Sequence, residues 1–392
     1  MAGPHPLLIE LAAGRDLAIG RPQDPEWLVE SAFEHRMNGL LWSAIEAGQI
    51  QLPEDRVAFL AARDLAVQVH HARLWRTLHD VQGRLSAVGL ETAVMKGVPI
   101  EARWYGRTGE RPCRDIDLLL QPGGEGALGA VLDALHQSHP QRREIIKLFA
   151  SGALQSVDLV VDGVGIDLHA DVLKVEIPTR GAEAVWSRTQ RVTRGNGLSV
   201  RSLDPETSLI LFAIHLNKDR FARLLGYADI ARILADESLD WAFIDRFLVR
   251  EGLRVHAYSS IDAVVAALRL PSPPIDVPRG WRARAWARLW PAKKRLGGYV
   301  SLGTQQHRQL WMPWLAEGRV AEALTWWIRR RALPPGDLLH VHDPELRGPY
   351  PMRWVVGRYR AWQRRRRDER TARQAASSPD SGRRRRPLDA QR

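Results

Sequence analysis

The sequence predicts an α+β fold, a small mixed sheet set between an N-terminal helical segment and a C-terminal helical domain. Three observations lead there. Short apolar runs of strand length, 90–96, 115–120, 157–161 and 164–169, fall close together. Stretches on both sides repeat their apolar residues at spacings of three and four, the period of a helix packed on a core. Capping and turn residues mark the joints between these runs.

In chain order, the run from Asp24 to Ala47 reads as short helices, and Leu52-Pro53-Glu54 opens a longer helix expected to reach about Val88. Within it Leu74, Leu78, Val81, Leu85 and Val88 form one apolar stripe, and Gly89 ends it. The next run, LETAVMK, is too short for a helix and reads as a buried strand stopped by Gly97. A second strand begins at Asp115. The runs VDLVV and VGIDLH flank Asp162-Gly163, a strong two-residue hairpin signal. Three or four strands are therefore expected. After Ser202-Leu203, Asp204 serves as a helix N-cap and Pro205 as the first helical residue, and the chain is expected to stay helical to about Arg331. The resulting segments are 1–89, a helical N-terminal part; 90–200, the α/β core; 201–335, a helical domain; and 336–392, an extension whose Arg-rich end is expected to be disordered from about 363.

A chain of 392 residues with 45% hydrophobic content supports two domains or three small ones. Its single cysteine, Cys113, excludes an intramolecular disulfide and a cysteine-based zinc cage, and fits a reducing compartment. With neither a cationic leader nor an apolar run long enough to span a bilayer, the protein is expected to be soluble and cytoplasmic. The net charge of +12 suggests nucleic acid until it is located. Residues 363–392 hold 11 Arg against 4 Asp or Glu, which leaves +5 for all the rest. This tail has two Arg tetrads suited to weak contact with nucleic acid or anionic lipid, against the alternative of a solvated tail of no specific role.

The chemistry gathers on the strands. Alternation places Asp115 and Asp117 on one face of their strand while Ile116 and Leu118 enter the core. The strand ending Ile166-Asp167-Leu168-His169 alternates in the same sense, so pairing of the two strands brings Asp167 to the first two carboxylates. Three carboxylates on one face repel unless cations lie between them, and oxygen ligation of that density suits Mg²⁺ or Mn²⁺. Such a cluster suits two-metal phosphoryl transfer: one ion activates an attacking hydroxyl and the other holds a triphosphate and its leaving pyrophosphate, with Asp167 assisting the proton. Lys96, Arg111 and Arg114 stand nearby in sequence to neutralise phosphate oxygens.

Other signals carry less. Gly124 to Gly129 satisfies G-x-G-x-x-G, but Gln121-Pro122-Gly123 separates it from its strand, and the carboxylates would go unexplained. No glycine-rich loop is followed by a Walker lysine. His70-His71 and the pair His340 and His342 lack metal-ligand spacing. The tryptophans Trp311, Trp314, Trp326 and Trp327 suit a core better than a membrane surface.

The string Met95-Lys96-Gly97, a short helix containing Tyr105, R-P-x-x-D-I-D-L-L-L and then Ile166-Asp167-Leu168-His169 resembles the uncharacterised nucleotidyltransferase family with the LKG, R-P, DIDLLV and DLH signature, within the polymerase-beta-type superfamily. The likeness extends from Glu-His-Arg-Met-Asn-Gly near Glu34 to the helical run after Phe212, about residues 25 to 335. It implies an Mg²⁺-dependent enzyme that transfers an NMP from an NTP to an unidentified acceptor hydroxyl on a protein, an RNA or a small molecule. Asp115 and Asp117 would be the metal pair and Asp167 the third carboxylate. Lys96, Gly97, Arg111, Arg114, His215 and Lys218 would lie at the nucleotide, with Arg223 and Asp229 nearby. Lys96-Gly97 stands where the superfamily carries Gly-Ser, which exchanges a hydroxyl for a charge. That exchange keeps a second reading open, a nucleotide-binding or regulatory protein of the same fold with weakened catalysis. A third reading takes RNA as the acceptor, held through the tail.

Overall fold

In the computed structural model the described residues are 4–289, apart from 18, 124, 140, 141, 151–153, 174–178, 196, 220 and 237, together with 318–322. The tail, the extension from 336, His340, His342 and the four C-terminal tryptophans named above lie outside them.

The N-terminal segment forms α1 (Pro6–Ala12), α2 (Pro25–Glu34), α3 (Asn38–Glu46) and α4 (Glu54–Ser86). Helix α2 starts as its sequence requires: the Asp24 carboxylate accepts the Trp27 amide at 2.9 Å, with Pro25 in the first turn. Helix α4 runs 33 residues and packs against the sheet. Leu74, Leu78, Val81 and Leu85 are all fully buried on its inner face. Each contributes about 1.5–3 kcal/mol by leaving water. The stripe stops there: the helix ends at Ser86 and Val88 is exposed, because the chain has already turned toward Gly89, whose φ is +76°.

The core of the fold is a six-stranded mixed sheet. Its strands are β1 (Thr92–Val94), β2 (Ile116–Leu120), β3 (Ser156–Val161), β4 (Val164–His169), β5 (Gln190–Thr193) and β6 (Ser199–Ser202), in the order β3-β4-β2-β1-β6-β5. Helix α5 (Val98–Trp104) follows β1, α6 (Leu128–Ala134) and α7 (Arg142–Ala150) follow β2, and α8 (Ala182–Trp186) follows β4. The β3-β4 hairpin closes through Asp162 and Gly163, both at positive φ, +50° and +70°, the backbone a two-residue turn of this hand needs. Strands β5 and β6 raise the expected three or four strands to six. Their signal in the sequence was Asn196-Gly197 between two short alternating runs; the Arg194 amide donates to the Leu198 carbonyl at 2.8 Å where the two strands meet.

The second helical region comprises α9 (Pro205–Lys218), α10 (Leu224–Leu234), α11 (Trp241–Glu251), α12 (Arg254–Leu268) and α13 (Trp281–Leu289). Asp204 caps α9 through the Thr207 amide at 3.0 Å. One apolar core joins Leu8, Leu28 and Leu41 of the first helices to Tyr227, Leu248 and Tyr258 of the last, and takes in Met95 and Leu119 at the sheet. Leu119 shares its face of β2 with Asp117, so the apolar end of that face lies under helices and the acidic end lies beside it. No described helix is long and apolar enough to cross a membrane.

Candidate active site

Strands β2 and β4 run parallel, with Asp117 directly opposite Asp167 and Leu119 opposite His169. Residues opposite each other on paired strands point to the same face, so Asp117, Asp167 and His169 converge. His169 Nε2 lies 3.2 Å from Asp117 Oδ1 and 3.1 Å from Asp167 Oδ2. One ligand atom from each residue fits within 4.8 Å of the others, the spread of a single metal ion's coordination shell. Asp117 is 4% exposed and His169 fully buried, whereas the Asp167 side chain keeps 21% exposure. A buried carboxylate needs a partner cation. Lys96 supplies one, with Nζ 3.2 Å from Asp117 Oδ2.

Lys96 reaches Asp117 because β1 ends at Val94 and the chain bends at 96–97, which frees its side chain from strand alternation. The Met95 amide still bonds the Asp117 carbonyl at 2.9 Å and holds the two segments together. Gly97 follows at φ +91° and ψ −134°, a conformation that a side chain disfavours. It lies against the Asp115 carbonyl, which a Cβ on Gly97 would meet at 3.7 Å.

Asp115 lies exposed just before β2 and is not part of the tight cluster formed by Asp117, Asp167 and His169. Arg114 is exposed too, its carbonyl 3.2 Å from His70 Nε2. Arg111 is buried instead. Its guanidinium makes a two-pronged pair with Asp229 of α10, at 2.7 and 2.8 Å, and Tyr105 donates its hydroxyl to the same carboxylate at 2.6 Å. Burial opposes the Arg111 charge, but Asp229 outweighs it and holds the pKa above the ordinary arginine value. Burial, reinforced by Asp229, likewise pushes Tyr105 well up. His215 and Lys218 occupy the last turn of α9, the first half-buried and the second exposed.

The loop that delivers Asp115 is clamped from a second side. Glu101 Oε1 accepts the amides of Gly109 and Arg111 at 2.8 and 3.1 Å, and Glu101 Oε2 lies 2.8 Å from His71 Nδ1. The Cys113 amide donates to His71 Nε2 at 3.2 Å, which assigns the imidazole proton to Nδ1, facing Glu101. Burial raises the Cys113 thiol well above its usual pKa, so beside this histidine it packs rather than reacts.

Three residues of interest were not singled out from the sequence. His169 was placed on the right face but given no role. Asp158 stands directly opposite Asp167 on β3, exposed, and adds a further negative charge to that face; counting back from the Asp162-Gly163 turn would have found it. Arg36 adopts φ +58° between α2 and α3, and its guanidinium pKa is lowered by burial, then by Arg223 and Arg114, against the opposing pull of Asp219 and Asp115. Arg36 thus lies in the field of Arg114, Arg223, Asp115 and Asp219. The Leu225 amide bonding the His35 carbonyl at 3.3 Å ties that junction to the start of α10.

A model of a family described as uncharacterised nucleotidyltransferase matches residues 21–268. No curated protein matches the chain. Among solved structures, the crystal structure of an antigenic nucleotidyltransferase-like protein from Paracoccidioides brasiliensis is similar at 14% identity, over 48% of this chain and 92% of that one, with a TM-score of 0.24.

Proposed function

Because the chain belongs to the uncharacterised nucleotidyltransferase family, we propose that it transfers a nucleoside monophosphate from an NTP to an acceptor hydroxyl at the Asp117, Asp167 and His169 cluster. The observation that carries this is the register of β2 and β4, which sets Asp117 opposite Asp167 with His169 Nε2 within 3.2 Å of both. Two carboxylates and an imidazole could together hold a divalent ion. When bound there, such an ion would supply charge stabilisation at the reacting phosphate and make the acceptor hydroxyl easier to deprotonate.

The chain's own groups do the remainder. The acceptor oxygen bonds to the α-phosphorus as the bond from that phosphorus to the oxygen bridging the β-phosphate breaks. Pyrophosphate leaves with the electron pair. The hydroxyl proton passes to Asp167, the more accessible carboxylate of the pair. Lys96 pairs with the buried Asp117 carboxylate, and Asp115 stands at the entrance. Arg114, with Arg36 and Arg223, faces the triphosphate, and His215 and Lys218 line the nucleotide or acceptor side. Arg111 acts by positioning: its bond to Asp229 ties the loop before Asp115 to α10. In this reading residues 90–200 carry the chemistry and the helical region from 201 flanks the substrate.

Incubating the protein with α-labelled NTPs and cell extract should label an acceptor and release pyrophosphate, and Asp117→Asn should do neither. Equal labelling by both proteins would overturn the assignment. The Lys96–Asp117 pair favours a second reading, a nucleotide-binding regulator of the same fold without turnover. Calorimetric binding of a metal–NTP complex with no transfer to any acceptor would select it.

A further inference from the structure

The two oxygens of Asp117 face different partners. Oδ1 lies 3.2 Å from His169 Nε2, on the side of Asp167; Oδ2 lies 3.2 Å from Lys96 Nζ. Phosphoryl-transfer centres with two ions hold them about 3.5–4 Å apart, a spacing that a carboxylate spans by giving one oxygen to each. Here the Oδ1 side offers two carboxylate oxygens and an imidazole nitrogen, whereas the Oδ2 side is taken by an ammonium.

We propose, resting on the nucleotidyl-transfer reading above, that this centre takes one first-row transition ion of the Mn²⁺ class through Asp117 Oδ1, Asp167 and His169, and that Lys96 stands permanently in the place of a second ion. Among the groups in direct contact Lys96 already supplies one positive charge at Oδ2, and two carboxylates, one divalent ion and that lysine sum to +1. Donor chemistry supports the class of ion. Mg²⁺ prefers an all-oxygen octahedron and sheds water reluctantly, whereas an imidazole nitrogen suits first-row transition metals. His169 cannot swing aside to leave an oxygen-only site, since it is fully buried on β4. Lys96 does not leave without cost either, because its bond to Oδ2 of the 4% exposed Asp117 would be lost.

His169 Nδ1 has no hydrogen-bond partner among the described residues. Metal-bound histidines are normally oriented by a bond at the second nitrogen.

The experiment is a titration of the purified full-length protein with Mn²⁺ in the absence of nucleotide, followed by electron paramagnetic resonance. The expected result is one Mn²⁺ per chain, displaced by Mg²⁺ only at about tenfold or greater excess, with nitrogen coupling to the bound ion in the spin-echo signal. That coupling should vanish in His169→Gln. Lys96→Ser should admit a second Mn²⁺ per chain, magnetically coupled to the first. Failure of Mn²⁺ to bind, two ions in the wild type, a bound ion without nitrogen coupling, or Mg²⁺ competing at equal concentration would each overturn the proposal, and all are read on the wild type even if a variant misfolds. Single-site Mn²⁺ binding with nitrogen coupling but no labelled acceptor would sink the transfer reading and leave this one standing.

Discussion

Arg111 and Asp229 meet in a buried two-pronged pair, Nε on Oδ1 at 2.7 Å and an Nη on Oδ2 at 2.8 Å, although 118 positions separate them in the chain. A pair of this kind is costly to break from one side, because the remaining charge stays buried. Asp229→Ala is expected to lower stability by about 3–5 kcal/mol. The double variant Arg111→Met/Asp229→Leu should lose less than Asp229→Ala alone. Urea unfolding of the wild type and these two variants checks this; a double variant that loses more than Asp229→Ala would show that the two residues do not act as a unit.

At the carboxylates the expected loss is catalytic. Asp117→Asn keeps the shape and a hydrogen-bond acceptor for Lys96 but removes the charge, and a metal's contribution of several kcal/mol corresponds to about 10³-fold in rate. Chelation of divalent ions should abolish transfer by the wild type to the same extent. A variant with wild-type pyrophosphate release would move the chemistry elsewhere.

The arginine group around Asp115 should act on substrate affinity. Charge-assisted hydrogen bonds of about 1.5–3 kcal/mol make Arg36→Ala and Arg223→Gln each raise KM for NTP by about tenfold or more. The effect should shrink as salt rises. If KM is unchanged at low salt in both variants, the triphosphate lies on another side of the site.

Stability should depend on pH through His35. Burial lowers its pKa below the ordinary 6.5, ahead of the raising effects of Glu34 and the backbone at Ala222. The unfolded chain therefore binds the proton more readily than the folded one just below pH 6.5. Stability is full above that value and falls as pH drops from 6.5 toward the folded pKa. His35→Gln should flatten this part of the profile in thermal melts at pH 5 to 7; an unchanged slope would assign it to other groups.

Gly97→Ala tests the bend. The space for a methyl exists, since its closest neighbour would be the Asp115 carbonyl at 3.7 Å, so the penalty is in the backbone at φ +91°. A cost of about 1–3 kcal/mol is expected. Loss of the Lys96–Asp117 contact should accompany it, read as altered Mn²⁺ stoichiometry.

Much of this was legible in local pattern. Alternation from Ile116 in β2 and in β4, the Asp162-Gly163 turn and the Asp204-Pro205 cap are short-range signals that appear as read, whereas Asp115, expected to open β2, lies exposed just before it. The expectations that missed depended on longer reach or finer accounting. Val88 continued a helical spacing that the turn before Gly89 had already broken. Strands β5 and β6 were too short, at four residues each, for a period to declare itself, and only the Asn196-Gly197 dipeptide in the sequence pointed to them.

What the sequence determined by itself is the set of groups on each strand face: a two-residue period has no other outcome, so Asp117 shares a face of β2 with Leu119, and Asp167 shares a face of β4 with His169. Which groups meet was decided by the tertiary structure. The parallel register of β2 and β4 chose Asp167 to stand opposite Asp117 and brought in His169. The bend after β1 sent Lys96 to Asp117, and the docking of α10 drew Arg111 away to Asp229. Strand alternation is a property of neighbouring residues, whereas register and docking are settled by burial across the whole core, which no local stretch of sequence contains.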